Sequence, residues 1–329
     1  MPELRWGPLR RRWVIVAPER GKRPSDFRAQ SPSPTAADEC PFCPGNEHLT
    51  PPEIARTPGP AGWAVRVVPN KFPALADYPE LELGKKGPFR RATGLGAHEV
   101  IIDSPDHSRD LDRLPLEQVE RVVDMYIARL GALRSAGRFQ YVQLFKNHGK
   151  GGGASLAHPH TQIIATPVLP PEAQGRLSAA RRHFAAHGRC LICQLVEEEL
   201  AAGERVVEEG GHFLILSPYD ARFPFELLVL PRAHSHRFVE LSGEGRTSFA
   251  RALQGALSRL SSLLGDVPYN FVLHTAPCGG DWPGIEDWYH WHLEIIPRLT
   301  QLAGFEWGTG MFINPMSPEA AAEHLRTAV

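Results

Sequence analysis

The 329-residue chain is almost neutral, with 36 Lys and Arg residues against 37 Asp and Glu residues, and 42% of it is hydrophobic. It is long enough for two ordinary domains or one large duplicated fold. The balanced charge argues against nucleic-acid binding, and no apolar stretch is long enough for a membrane span or a signal peptide. We therefore expect a soluble, cytoplasmic protein without nucleic-acid or membrane partners, and we interpret the basic run Arg10–Arg12 as a solvated terminus.

Four of the five cysteines form two Cys-x-x-Cys pairs, Cys40/Cys43 and Cys190/Cys193. In a reducing compartment such pairs bind metal more often than they form disulfides. A thioredoxin-like redox pair is the alternative, but it requires a strand followed by a helix. The segment 40–45 is instead rich in turn-forming residues. The first pair therefore predicts a metal site.

Four features recur in the same order on either side of a proline-rich join at 166–172. Each half has a Cys-x-x-Cys pair, an apolar strand that ends in a turn with a histidine, an amphipathic helix, and a strand with alternating histidines. After the cysteine pairs, these features lie at 99–107, 119–133 and 158–164 in one half, and at 226–234, 249–264 and 290–296 in the other. This order indicates duplication. We expect an α+β fold in which residues 1–170 and 171–329 each form an antiparallel sheet with helices packed on one face.

The segment Gly151–Gln162 carries the strongest functional signal. Backbone N–H groups of a glycine-rich loop can bind phosphate oxygens. His158, His160 and Gln162 alternate, so they share one face of the following strand. A phosphate-binding loop beside a neutral imidazole is typical of a nucleophilic phosphoryl or nucleotidyl transferase. The alternative is a glycine loop beside a core histidine, and the co-occurrence of all three side chains disfavours it.

Two metal sites follow from these features. Cys40 and Cys43 supply two ligands, and His107 and His158 are the natural remainder of a closed, structural zinc site. The same alignment in the second half selects Cys190, Cys193, His234 and His290. There His236 and His292 compete for the histidine positions, and a second half without metal is the alternative.

The sequence resembles the galactose-1-phosphate uridylyltransferase family of the histidine-triad superfamily over nearly its whole length. The segments that carry this resemblance are Arg20–Pro24, Cys40–Glu47, Pro69–Ala74, Ser104–His107, Phe145–Asn147 and Ser155–Gln162. The resemblance implies a duplicated histidine-triad-like fold, a homodimer, and nucleotide-sugar and sugar-1-phosphate substrates. It implies transfer of UMP between UDP-glucose and galactose-1-phosphate through a covalent uridylyl-histidine.

The resemblance also implies roles for single residues. The implied catalytic residues are the nucleophile His160, Gln162 as the donor to a phosphoryl oxygen, and Ser155 of the phosphate loop. The other implied contacts to substrate are Arg20, Arg23, Asn70, Asn147, Gly153 and Ala154. The four residues of the first cysteine–histidine set match the structural zinc site of the family.

Other interpretations stay open at this point. Leu156 stands where the family often has asparagine, and the second Cys-x-x-Cys pair resembles a branch with two zinc sites, some of whose members act on ADP-sugars. An ADP-sugar phosphate adenylyltransferase is therefore the main alternative. A hydrolase is disfavoured because Gln162 cannot titrate, and a nucleotide sensor has no need of His160. Glu294 beside His292 predicts a second half without its own nucleophile.

Overall fold

Alternating and continuous apolar runs form the strands, and apolar residues three or four positions apart form the long helices. The structure is a computed structural model that describes residues 2–18, 39–60 and 62–328. The strands are β1 (Glu3–Gly7), β2 (Arg12–Val16), β3 (Ala55–Thr57), β4 (Val65–Pro69), β5 (Leu83–Lys86), β6 (Phe89–Ala92), β7 (Ala97–Ile102), β8 (Tyr141–His148), β9 (His160–Thr166), β10 (Val206–Glu209), β11 (Phe213–Leu216), β12 (Leu227–Pro231), β13 (Tyr269–His274), β14 (His292–Pro297) and β15 (Phe312–Asn314). The helices are α1 (Leu116–Ser135), α2 (Pro171–His187), α3 (Leu191–Ala202), α4 (Gly243–Leu264), α5 (Ile285–Trp288), α6 (Gly304–Thr309) and α7 (Pro318–Thr327).

The main sheet has ten strands in the order β10-β11-β12-β14-β13-β8-β9-β7-β4-β3. The pairs within it are antiparallel, and the central pair, β8 with β13, joins strands from before and after the proline-rich join. The two expected sheets are therefore one continuous sheet. Pairing β8 with β13 satisfies backbone groups that would otherwise be left at the edge of each half.

Helices α1 and α4 pack on one face of this sheet, as expected. The predicted apolar positions of both helices are buried in one core with the strand residues that face them. The C-terminal helix α7 begins with a serine cap: the Ser317 hydroxyl accepts the N–H of Ala320, and Pro318 stands in the first turn.

The opposite face of the sheet differs between its two ends. On β11 and β12, the residues on that face pack against α3, so both strands are buried on both faces. On β9 and β7, the same face carries His160, Gln162 and Val100, which line a cavity. Helix α3 thus covers the second half at the place where the first half presents its candidate site.

A smaller sheet, β1-β2-β15, lies outside the main one. The turn between β1 and β2 places Arg10 in the interior, where its guanidinium contacts Glu226 and Glu294. The interpretation of Arg10–Arg12 as a solvated terminus is wrong at Arg10, because that side chain is buried among carboxylates. Strands β5 and β6 form a separate hairpin.

Within the described residues, none of the helices combines the length and the apolar character that crossing a bilayer requires.

Candidate active site and metal clusters

A tight turn at 149–153 leads from β8 towards β9. Gly153 has a left-handed backbone with φ of 88°, and a Cβ on Gly152 would lie 2.6 Å from the carbonyl oxygen of Tyr269. Both positions therefore favour glycine. The N–H groups of Gly153 and Ala154 donate to carbonyls within the turn, at 3.0 and 3.1 Å. These two amides shape the loop, and the next two residues, Ser155 and Leu156, line the cavity.

His160, the first residue of β9, is buried, with 6% of its surface exposed. Its Nδ1–H donates to the carbonyl oxygen of His158 at 2.8 Å, so the lone pair lies on Nε2. Burial lowers the pKa of His160 to about 4. The rings of Phe42 and His160 pack edge to face, with the centroids 5.3 Å apart. The imidazole is therefore neutral, with a fixed tautomer, at physiological pH.

A cavity of about 550 Å³ opens beside this imidazole. Apolar side chains of Phe42, Val68, Val100 and Leu156 line part of it. Polar groups of Asn70, Ser155, His160 and Gln162 line it as well. A concave, mainly apolar pocket with a few polar groups is typical of a small-molecule site, and this one has the volume for a nucleotide.

Asn147, on β8, lies beside the glycine turn, where its Nδ2 would be 3.8 Å from a Cβ on Gly153. Its side-chain oxygen accepts a hydrogen bond from Nδ2 of Asn270 at 2.8 Å, and Asn270 also donates to the carbonyl of Gly152 at 2.6 Å. Asn270 thereby ties the glycine turn to Asn147 across the central strand pair. Since the oxygen of Asn147 is occupied, its NH₂ group is left to donate.

Cys40, Cys43, His107 and His158 meet as expected, with their ligand atoms within 4.8 Å of one another. Sγ of Cys43 lies 3.2 Å from Nδ1 of His107 and 3.6 Å from Nδ1 of His158, and Sγ of Cys40 lies 3.7 Å from the latter. Tetrahedral zinc places sulfur and nitrogen ligands about 3.6 Å apart. Nε2–H of His158 donates to the Ser104 carbonyl at 2.8 Å, which turns the Nδ1 lone pair towards the cluster. The residues present fit a metal ion.

Cys190, Cys193, His234 and His290 form a second cluster of the same kind. The sulfur–nitrogen distances are 3.3 Å and 3.5 Å from Cys193 to the two histidines and 3.9 Å from Cys190 to His290. Nε2–H of His234 donates to the Glu286 carbonyl at 2.7 Å. The competing residue His236 faces Glu240 instead.

Arg20 and Arg23, the two expected phosphate contacts from the N-terminal segment, lie outside the described residues.

The sequence matches a single family on both sides of the proline-rich join. Residues 1–170 match the N-terminal domain of galactose-1-phosphate uridyl transferase, and residues 176–326 match its C-terminal domain. The chain belongs to the galactose-1-phosphate uridyl transferase family. This membership confirms the resemblance seen in the sequence and makes the protein a member of a transferase family.

Two relatives of known function are each 35% identical to this chain over 99% of its length. They are the ADP-glucose phosphorylase of Arabidopsis thaliana, 92% of which is covered, and the galactose-1-phosphate uridylyltransferase of Thermotoga maritima, 98% of which is covered. A crystal structure of an ADP-glucose phosphorylase from Arabidopsis thaliana with bound ADP-glucose has a TM-score of 0.86 with this chain. It is 33% identical, and the match covers 100% of both chains.

In this uridyl transferase family member, the second half carries a changed copy of the histidine strand. His292 is fully buried, and Nη1 of Arg176 lies 3.1 Å from its Nε2. Glu294 accepts hydrogen bonds from Arg176 and Arg10 at 2.7 and 2.8 Å. Burial alone would raise the pKa of Glu294, but the charges of Arg176, Arg10 and Arg222 outweigh it and hold the pKa well below the ordinary value. In the second half, a buried ion-pair network therefore occupies the place that corresponds to the cavity beside His160.

Two residues near the site were missed by the sequence analysis, His98 and Asn270. His98 precedes Val100 by two positions on β7 and so shares its face, which was a usable signal. Asn270 lies on β13, and its proximity depends on the pairing of β13 with β8. No pattern within the first half could have indicated it.

Proposed function

We propose that the protein is a nucleotidyltransferase that moves UMP between UDP-glucose and galactose-1-phosphate through a covalent nucleotidyl-histidine on His160. The observation that carries the proposal is the neutral imidazole of His160 in the wall of a nucleotide-sized cavity, with Nδ1 engaged and Nε2 available. The family relationship supports the substrate class.

In the proposed reaction, Nε2 of His160 attacks the α-phosphorus of the nucleotide sugar. The P–N bond forms as the P–O bond to the β-phosphate breaks, and the hexose-1-phosphate leaves with the electron pair. A second sugar phosphate then attacks phosphorus, breaks the P–N bond and restores the neutral imidazole. The retained Nδ1–H, held by the carbonyl of His158, stabilises the positive charge that the adduct places on the ring.

Hydrogen-bond donors around the phosphoryl oxygens supply the main stabilisation of the transition state. We assign this role to Gln162, Ser155 and Asn147, with Arg20 and Arg23 as further contacts. Asn70 lies on the cavity wall beside them and supports substrate binding.

We propose zinc as the metal in both cysteine–histidine clusters, because thiolate and imidazole donors in a four-ligand set suit it. Four protein ligands leave no open position, so the ion has a structural role. In the first cluster it anchors His158, whose carbonyl in turn orients His160.

We also propose two functional halves, 1–170 with the active site and 171–329 with the second metal site. We also propose that the protein is cytoplasmic and forms a homodimer. Light scattering tests the dimer.

ADP-glucose is the second candidate substrate, with phosphate as the acceptor. The specific observation in its favour is the similarity to the Arabidopsis thaliana ADP-glucose phosphorylase, whose structure with bound ADP-glucose has a TM-score of 0.86 with this chain. Both candidates use the same proposed covalent step and differ in the base and in the acceptor.

The test is incubation with UDP-glucose or ADP-glucose labelled at the α-phosphorus, followed by isolation of acid-labile labelled protein. Labelling by UDP-glucose and discharge by galactose-1-phosphate supports the main proposal, whereas labelling by ADP-glucose alone supports the second. His160→Gly is expected to abolish the adduct while nucleotide binding persists. His212→Asn, at an exposed residue, serves as the matched control and is expected to label normally. Normal labelling of the His160→Gly protein would refute the assignment of the nucleophile.

A further inference from the structure

His98 connects three parts of the candidate site through one imidazole ring. It lies on β7, and its Nδ1 accepts the backbone N–H of Ala74 at 3.1 Å. Its Nε2 lies 2.8 Å from Oε1 of Gln162 and 3.1 Å from Nδ2 of Asn70. His98 does not itself line the cavity, but Gln162 and Asn70 do.

These contacts determine which nitrogen of His98 carries the proton. The N–H of Ala74 is a donor only, so Nδ1 must offer its lone pair. A neutral imidazole has one lone pair and one N–H, so the proton lies on Nε2. Nε2–H then donates to Oε1 of Gln162 at 2.8 Å. The 3.1 Å approach of Asn70 Nδ2 joins two donors and is not a hydrogen bond, and the Asn70 oxygen already accepts the N–H of Phe72 at 2.9 Å.

The consequence is a defined orientation for the amide of Gln162. A glutamine amide can rotate to present either its oxygen or its NH₂ group, and only the NH₂ group can donate to a phosphoryl oxygen. With Oε1 held by His98, the NH₂ group remains for the cavity. We propose that His98 is a positioning residue that fixes the Gln162 amide with its donor side towards the transferred phosphoryl group. This inference rests on the proposed function of the same site.

A double-mutant cycle tests whether His98 acts through Gln162. His98→Leu removes both ring nitrogens, and we expect the rate of nucleotidylation to fall by about 10- to 100-fold. This is less than the roughly 100- to 1,000-fold cost of deleting a transition-state donor, because Gln162 is still present and loses only its fixed orientation. KM for the nucleotide sugar should change by less than about threefold, because the oriented donor acts mainly in the transition state. In a Gln162→Ala background, the same His98→Leu change should cost less than about threefold.

His98→Gln is the conservative variant for the same experiment. Its amide oxygen can accept the N–H of Ala74 while its NH₂ group donates to Gln162, so we expect it to restore most of the lost rate. A cost of His98→Leu that is equally large in the Gln162→Ala background would overturn the inference. So would a change confined to KM, since that would indicate that His98 supports only the binding loop.

The tautomer can be measured without any substrate. In protein labelled with ¹⁵N-histidine, the His98 signals, identified by their loss in His98→Gln, should show the proton on Nε2. A proton on Nδ1 would contradict the inference. Two further results distinguish a failure of the proposed function from a failure of the role of His98. Wild-type protein that forms no covalent adduct with the labelled nucleotide sugar would refute the proposed function. If the wild type forms the adduct, full activity of His98→Leu would refute only the role of His98.

Discussion

Replacing His148 with glutamine removes a partly buried charge that links the two halves of the sheet. His148 is the last residue of β8, directly before the glycine turn. Its Nδ1 lies 2.7 Å from Asp110, which precedes α1, and its Nε2 lies 2.6 Å from Asp266, which follows α4. The ring stacks on Tyr269 with the centroids 4.8 Å apart, and the Tyr269 hydroxyl donates to Asp110 at 3.1 Å.

The magnitude follows from the pKa of His148. Burial alone would lower it, but the hydrogen bonds to Asp110 and Asp266 outweigh burial and raise the pKa from 6.5 to about 9. At about 1.4 kcal/mol per pKa unit, the charged form adds about 3 kcal/mol to the free energy of unfolding. Because the folded-state pKa is raised, this contribution is complete below pH 6.5 and is lost as the pH rises through about 9.

The assay is urea unfolding of wild-type and His148→Gln protein at several values between about pH 6 and about pH 10. The difference in unfolding free energy between the two proteins should shrink by about 3 kcal/mol across that range. His212→Gln is the matched control, because His212 and its partner Glu244 are 49% and 81% exposed and form a surface pair of little energetic value. A wild-type-minus-variant difference that stays constant with pH would refute the reasoning.

Three further outcomes are expected. Cys43→Ser should halve the zinc bound per chain and lower the melting temperature, whereas Cys278→Ser, which lies outside both clusters, should leave the metal content unchanged by elemental analysis. Gly152→Ala places a Cβ 2.6 Å from a backbone carbonyl oxygen of β13. The glycine turn must shift to relieve this contact, so kcat/KM should fall by at least about tenfold. Gly131→Ala in α1, where a Cβ meets nothing within 4 Å, is the control and should retain activity. Glu294→Gln removes the carboxylate that pairs with the buried Arg176 and should cost about 3 to 5 kcal/mol of unfolding free energy, measured by urea denaturation.

Local patterns in the sequence predicted the pieces of the fold and of the first metal cluster. The apolar positions of α1 and α4 follow a helical period, and both helices bury those faces. His158 and His160 divide their contacts as an alternating pair can, one towards the cysteines and one towards the cavity. Such features depend on residue type and short spacing, which the sequence records directly.

Contacts between distant segments could not be predicted in this way. Arg10 reaches Glu294 across 284 positions, so the basic run near the N-terminus gave no sign of its buried partner. His98 contacts Gln162 because β7 pairs with β9, and its Nδ1 is engaged because the backbone N–H of Ala74 lies against the ring. Pairing of this kind is set by packing and hydrogen bonding between elements, and one sequence contains no register for it.

The sequence by itself determined the residue types of the candidate chemistry: a histidine for nucleophilic attack, a glutamine beside it, and two sets of metal ligands. The tertiary structure decided how they are arranged. Pairing of β8 with β13 merged two half-sheets into one and brought Asn270 to the glycine turn. Burial keeps His160 neutral. Packing of distant segments places arginines around Glu294 and keeps it charged. The physical reason is that protonation state and side-chain orientation depend on neighbours in space, and those neighbours come from every part of the chain.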